Sequence, residues 1–239
     1  FVDQNTHDPQ SWNLYSYVHN NPLNRTDPDG QLTVIVPGTG WSPSNWNENM
    51  KLFNEARSKF HDPDVRILHW SGSLLSSARS DGAAMLTQMV SEHTFAPGEK
   101  LNVIGHSRGG DVAMQATATL THKIDNLITL DTPAYYGMPF NPSNVGTGIN
   151  VSVGQDWVLP VASDDPGRAR QQTGANNLVI SAPQYGHLES HSAVWQDEIW
   201  RNTGWRFWQD HAGCQESLDD KTSTLQGFLE GRDCRAACL

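Results

Sequence analysis

The 239-residue sequence is short of charge, of cysteine and of long apolar runs, and each shortage closes off a class of function. Only 18% of residues are charged, and acids outnumber bases 26 to 16, for a formal net charge of −10. Nucleic-acid recognition needs clustered lysine and arginine to neutralise phosphates, so no nucleic-acid partner is expected. The same balance argues against attraction to anionic membrane surfaces, though not against action on lipids. No apolar run approaches the roughly 18 residues of a transmembrane helix, so no transmembrane segment is expected. No secretory signal peptide is visible. The three cysteines, Cys214, Cys234 and Cys238, sit near the C-terminus without a C-x-x-C metal spacing. They cannot all pair with one another. Reduced thiols in a cytosol-made protein are favoured over a bridge from Cys214 to Cys234 or Cys238. No internal repeat is present. What remains is 37% hydrophobic with nine tryptophans, enough for one sizeable packed core. The first residue is Phe1, so the chain reads as a piece of a longer polypeptide.

The chain changes character at about residue 30. Residues 1–30 are rich in Asn, Asp, Pro and Tyr, with apolar residues rarely adjacent. From Gln31 onward, short apolar runs alternate with helical patterns. Strands are expected at 32–36, 65–70, 101–104, 126–130, 149–153 and 178–180. Helices are expected over 45–60, 83–90, the stretch after residue 107 as far as Leu120, and 194–208, the last as one helix or a pair. Repeated strand–helix–strand units predict an α/β fold: a mostly parallel sheet of about six strands with helices on both faces.

Gly105-His106-Ser107-Arg108-Gly109 follows the strand Leu101–Ile104 and opens a helical pattern. Strand, tight turn and helix with serine at the apex define a nucleophile elbow, whose strained backbone leaves no room for side chains two residues either side. Ser107 is therefore the expected nucleophile. Serine needs a histidine to take its proton and a carboxylate to orient that histidine, in the chain order Ser, acid, His on this kind of scaffold. Asp156, after the strand 149–153, is favoured as the acid. Asp131 is its rival, with a structural reading as a turn-capping carboxylate in Asp131-Thr132-Pro133. In Gly186-His187-Leu188-Glu189-Ser190-His191, the preceding glycine favours His187 as the base, and His191 is the rival. The two histidines lie four apart, but no third ligand accompanies them, so no metal is expected. An oxyanion hole requires the backbone N–H of Arg108 and a second donor, assigned to Thr39 in Pro37-Gly38-Thr39-Gly40. The Gly loop lacks the lysine of a phosphate loop, and no cofactor is implied. Tyr135, Tyr136, Met138 and Phe140 read either as an apolar flap over an acyl chain or as cover for the sheet edge.

Two resemblances extend this reading. Asn13-Leu14-Tyr15-Ser16-Tyr17-Val18-His19-Asn20-Asn21-Pro22 and Asp27-Pro28-Asp29-Gly30 resemble the end of the conserved core of RHS-repeat proteins. That resemblance implies that residues 1–30 close a β-cocoon and form a cleavage region, with Asp8, Asp27 and Asp29 as its acids. Gln31 stands where leucine often follows the glycine. Residues 31–239 resemble compact α/β-hydrolases of lipase type, through P-G-T-G, G-H-S-R-G-G, L-D-T-P, D-W-V-L-P and G-H. Pro37 replaces the histidine usual in the oxyanion loop. Together the resemblances imply a lipase- or phospholipase-like toxin acting on a lipid or other ester. It would be made in a bacterial cytoplasm, exported within a larger RHS protein by contact-dependent or type VI secretion, delivered to a target cell, and matched by an immunity protein. A non-lipid esterase, amidase or thioesterase and a non-catalytic binding cargo are the alternatives.

Overall fold

The computed structural model describes residues 31–196 except positions 136, 165 and 173. The leader with Asp8, Asp27 and Asp29, together with Tyr136, Asp165, the stretch beyond 196 and the three cysteines, lies outside the described residues. The described chain alternates strand and helix as the apolar pattern predicts. It begins β1 (Gln31–Val36), α1 (Lys51–Lys59), β2 (Asp64–Ile67), α2 (Ser76–Glu92), β3 (Lys100–His106) and α3 (Arg108–Ala116). It continues β4 (Ile124–Leu130), β5 (Val145–Val153), α4 (Val158–Ala162), β6 (Asn176–Ile180) and α5 (Glu189–Gln196).

The six strands form one sheet in the order β2-β1-β3-β4-β5-β6, every neighbouring pair parallel. Side chains alternate between faces along a strand, and both faces are dry. Ile35, Ile104, Ile128, Leu130 and Val151 meet Phe53 and Val194 on one face. Val34, Val36, Leu101, Val103 and Leu127 meet Leu86, Val112 and Ala113 on the other. A row of amides at the opposite end of the sheet fixes register: the Asn102 side chain donates to Gln31 Oε1 at 2.7 Å and accepts from Asn126 at 2.7 Å. In that register Val36 lies beside Gly105, Leu130 beside His106 and Val151, and Ile180 beside Val153. The carboxyl ends of β1, β3, β4, β5 and β6 therefore finish level, and the loops that leave them share one edge.

Element boundaries depart from the apolar pattern where side chains compete with the backbone or tertiary packing intervenes. The helix expected from residue 45 starts only at Lys51. Asn47 donates to the carbonyl of Pro43 at 2.9 Å and accepts from the N–H of Asn49 at 2.9 Å, a local turn that replaces helical bonding. Conversely α2 extends back to Ser76 through a weakly apolar half, because Gly82 lets it lie against Val112 and Trp70. β2 ends at Ile67 rather than Trp70, whose indole is instead buried and donates to Pro37 O at 2.8 Å. Leu120 falls beyond α3, just past the turn at 117–119, and the short helix α4 has no clear apolar period to announce it.

Candidate active site

Ser107 stands between β3 and α3 with φ 51° and ψ −130°, a left-handed backbone that a side-chain-bearing residue holds only under constraint. The constraint is visible: Ser107 N–H donates to Leu130 O on β4 at 2.8 Å, and Gly110 N–H donates to Ser107 O at 2.9 Å. A methyl on Gly105 would sit 2.5 Å from the Gly110 Cα, and one on Gly109 would overlap the carbonyls of Val36 and Pro37. Both glycines of the motif are thus required by backbone crossing backbone. The helix that follows leaves the N–H of Arg108 without an intrahelical partner and places its positive end beside the serine.

His191, in the first turn of α5, accepts from or donates to two partners at once. Its Nε2 lies 2.9 Å from Ser107 Oγ, and its Nδ1 lies 2.7 Å from Asp156 Oδ2. The carboxylate accepts at Nδ1, so that nitrogen carries the hydrogen and Nε2 is left to accept the serine proton. Asp156 is fully buried on the loop after β5, and its other oxygen accepts the Val158 N–H at 2.7 Å. The structure thus brings together Ser107, Asp156 and His191.

His187 is displaced from the role expected of it. Its ring is exposed, donates from Nδ1 to Gln155 O at 2.9 Å, and stacks on Trp157 at 4.2 Å between centroids. The glycine before it does not open a loop tip. The chain turns there at once, with Ser190 N–H bonded to Gly186 O and the His187 carbonyl accepting from Trp157 N–H and Ser190 Oγ. His187 closes the turn, and the first turn of α5 carries the next histidine over the acid.

Asp131 is the structural residue that its turn position implied, with one addition. It is buried with φ 43°, and its Oδ1 accepts the Val153 N–H at 2.8 Å. It also lies beside the acid: single ligand atoms of Asp131, Asp156 and His191 fall within 4.8 Å of one another. The loop that carries Thr39 lies against the elbow. A Cβ on Gly38 would be 2.9 Å from Ser107 Cβ, and Thr39 follows, exposed. Tryptophans pin that loop, since Trp70 holds Pro37 O and Trp41 Nε1 donates to Trp70 O at 2.6 Å. Met138 and Phe140 pack on the core as sheet cover, whereas Tyr135 lies beneath Arg79, with the guanidinium 4.7 Å from its ring centroid.

Residues whose part the motifs do not announce complete the site. His106 Nε2–H donates to His191 O at 2.8 Å and its ring stacks on Trp46, so the residue before the nucleophile fixes the backbone of the base. Burial first, then the neighbouring His191, pushes His106 down to about 3, which keeps it neutral. Arg170 donates to Val153 O at 3.1 Å and to Asp156 O, clamping the acid loop. Gln172 holds the carbonyls of Thr132 and Pro133. Arg170 and Gln172 lie in an aperiodic stretch that offers no sequence signal. Around the serine edge, Leu74, Leu75, Trp157, Val161 and Leu188 are each at least 60% exposed, on segments that follow β2, β5 and β6. Arg108 ties this rim to the elbow by donating to Leu74 O.

An all-parallel sheet with a serine elbow at its centre, an acid loop two strands further out and a histidine after the edge strand is a compact α/β-hydrolase fold. Neither a family model nor a curated protein matches the chain. Among solved structures it is similar to a YdeN-like hydrolase from Pectobacterium atrosepticum, at 14% identity and TM-score 0.49, over 77% of this chain and 91% of that one. It is also similar to the ydeN gene product of B. subtilis, at 13% identity and TM-score 0.47, over 74% and 99% of the two chains. An acetylxylan esterase aligns at 14% identity and TM-score 0.45, over 76% and 98%. The class rests on this chain's own topology and elbow rather than on these distant likenesses.

Proposed function

We propose that this chain is a serine carboxylic-ester hydrolase, of lipase or phospholipase type, carried as the C-terminal toxin of an RHS polymorphic protein. The observation that carries the catalytic part is the continuous path from Ser107 Oγ through His191 to Asp156. His191 Nε2 takes the Ser107 proton as Oγ attacks the ester carbonyl, and Asp156 stabilises the imidazolium. The N–H groups of Arg108 and Thr39 receive the negative charge on the carbonyl oxygen. Collapse returns the proton from His191 to the leaving alcohol, and water then releases the acid by the same steps in reverse order.

The lipid part draws support from the five exposed apolar side chains that border the serine edge. The RHS part draws support from the leader motifs alone, and with it come the larger parent, export, an RHS cocoon and an immunity protein. The test is purified protein incubated with defined phospholipids and with short-chain soluble esters, released acid being followed by mass spectrometry. Fatty-acid release that disappears in a folded Ser107→Ala variant is expected. Hydrolysis of short-chain esters alone would favour the non-lipid esterase. Undiminished turnover in Ser107→Ala would overturn the nucleophile.

A further inference from the structure

The carboxyl group of Asp131 is fully buried, yet its Oδ2 has no hydrogen-bond partner among the described residues. Its other oxygen accepts a single backbone N–H, that of Val153. Asp156, within 4.8 Å, is better provided for: one oxygen takes the Val158 N–H and the other takes the His191 Nδ1–H. Two full negative charges this close and out of water oppose one another, so one of the two carboxyls keeps a proton. The donors decide which. Asp156 is the one stabilised as an anion, and the orphaned oxygen of Asp131 is the one that gains a use by carrying hydrogen.

We propose that Asp131 is a positioning residue that keeps its proton at neutral pH and directs it toward the Asp156 carboxylate, so that the pair presents one negative charge to His191. This deepens, and rests on, the catalytic reading above. The groups facing Asp131 are Asp156, His191 and Arg170. Burial first, then the Asp156 charge, pushes Asp131 well above the usual carboxylate range, against the opposing pull of the Val153 N–H and Arg170. The functional consequence concerns the base. One charge orients His191 and stabilises the imidazolium when it forms. A second would favour the charged ring before attack as well as during it, weakening Nε2 as the acceptor for Ser107.

Asn is the informative substitution. It tolerates the left-handed backbone found at Asp131, its oxygen can still accept from Val153, and its amide can still donate toward Asp156. Alanine loses both bonds and adds strain. The experiment pairs infrared difference spectra of the intact protein with pH profiles of kcat/KM on a soluble ester, for wild type, Asp131→Asn, Asp131→Ala and Asp156→Asn. The wild-type minus Asp131→Asn spectrum at neutral pH should contain the carbonyl stretch of a protonated carboxyl. The band of buried Asp111, which is also pushed upward, cancels in that difference. Asp131→Asn should keep kcat/KM within severalfold and leave the acid limb in place, whereas Asp131→Ala should lose about tenfold or more. Absence of the band, or an acid limb lowered by about one unit in Asp131→Asn, would overturn the proposal by showing Asp131 ionised in the wild type. Asp156→Asn gives a second route: with the neighbouring charge gone the band should titrate at lower pH, and an unmoved titration overturns the idea. The band does not depend on turnover. Its presence without hydrolysis would count against the catalytic reading alone.

Discussion

Removing the imidazole of His191 should abolish ester hydrolysis, whereas removing that of His187 should barely affect it. The two residues are four positions apart and chemically identical, so the contrast isolates geometry. His191 spans 2.9 Å to Ser107 Oγ and 2.7 Å to Asp156 Oδ2, while His187 touches neither and stacks on Trp157 in solvent. Without a base the serine attacks as a neutral hydroxyl, and only the oxyanion donors and binding remain. The loss is then on the order of 10⁴-fold or more in kcat, equivalent to about 5 kcal/mol or more of transition-state stabilisation. His187→Ala removes one bond to a loop carbonyl at an exposed site and should cost no more than severalfold. Steady-state kcat/KM on a chromogenic short-chain ester measures both. Labelling of Ser107 by a fluorophosphonate, read by intact mass, reports nucleophilicity independently of substrate choice. Circular dichroism confirms that each variant is folded. A His187→Ala variant as inactive as His191→Ala, with both folded, would refute the assignment of the base.

Other consequences are open to measurement. Because burial holds His106 neutral at about 3, the unfolded chain takes up its proton first, near 6.5. The stability this residue contributes is therefore present above pH 6.5 and is lost as pH falls toward 3. By pH 5 the loss is about 1–2 kcal/mol, and it should vanish in urea titrations of His106→Gln. Buried Asp111 and Asp131 act with the opposite sign, favouring the fold at low pH, so the wild-type-to-variant difference is the quantity to read. Gly109→Ala should destabilise by about 3 kcal/mol, since the methyl meets two carbonyls, whereas Gly40→Ala meets open space and costs about 1 kcal/mol for its φ of 69°. Equal denaturation midpoints for the two would contradict the packing described. In the proposed full-length parent, cleavage is expected near Gly30–Gln31 and should be blocked by Asp27→Asn. Intact-mass analysis checks it, and a cut far from that junction removes the processing role.

The sheet and the nucleophile were legible because they depend on local pattern. Val34-Ile35-Val36 and Leu127-Ile128 are buried on both faces and read as continuous apolar runs. Gly105 is forced by its contact with Gly110 within one turn, and Gly109, which meets the distant carbonyls of Val36 and Pro37, still shows in the local G-x-S-x-G spacing. The base was less legible. Choosing between His187 and His191 depends on where α5 begins, and there the local bonds of Ser190 to Gly186 and His187 are joined by one from the distant Trp157 N–H to the His187 carbonyl. A glycine before a histidine marks a turn but not the direction in which the chain leaves it. Arg170 and His106 were hidden for a related reason. Each acts on a backbone carbonyl of another loop, and such a partner leaves no mark in residue type or spacing.

The order of the strands also sets when the molecule acquires its chemistry. Every pairing in the sheet is parallel and needs a crossover, so no strand is joined to its neighbour by a simple hairpin, and the contacts that build the sheet are far apart in sequence. Such topologies fold slowly, because chain closure must precede the reward of pairing. The nucleophile leaves the third strand, the acid the fifth, and the base comes only with the helix beyond the sixth. A chain emerging from the ribosome can assemble the elbow early and still lack a proton acceptor until its last described helix docks. Regain of activity after dilution from denaturant should accordingly trail the recovery of sheet signal, and a chain that ends before residue 191 should show none.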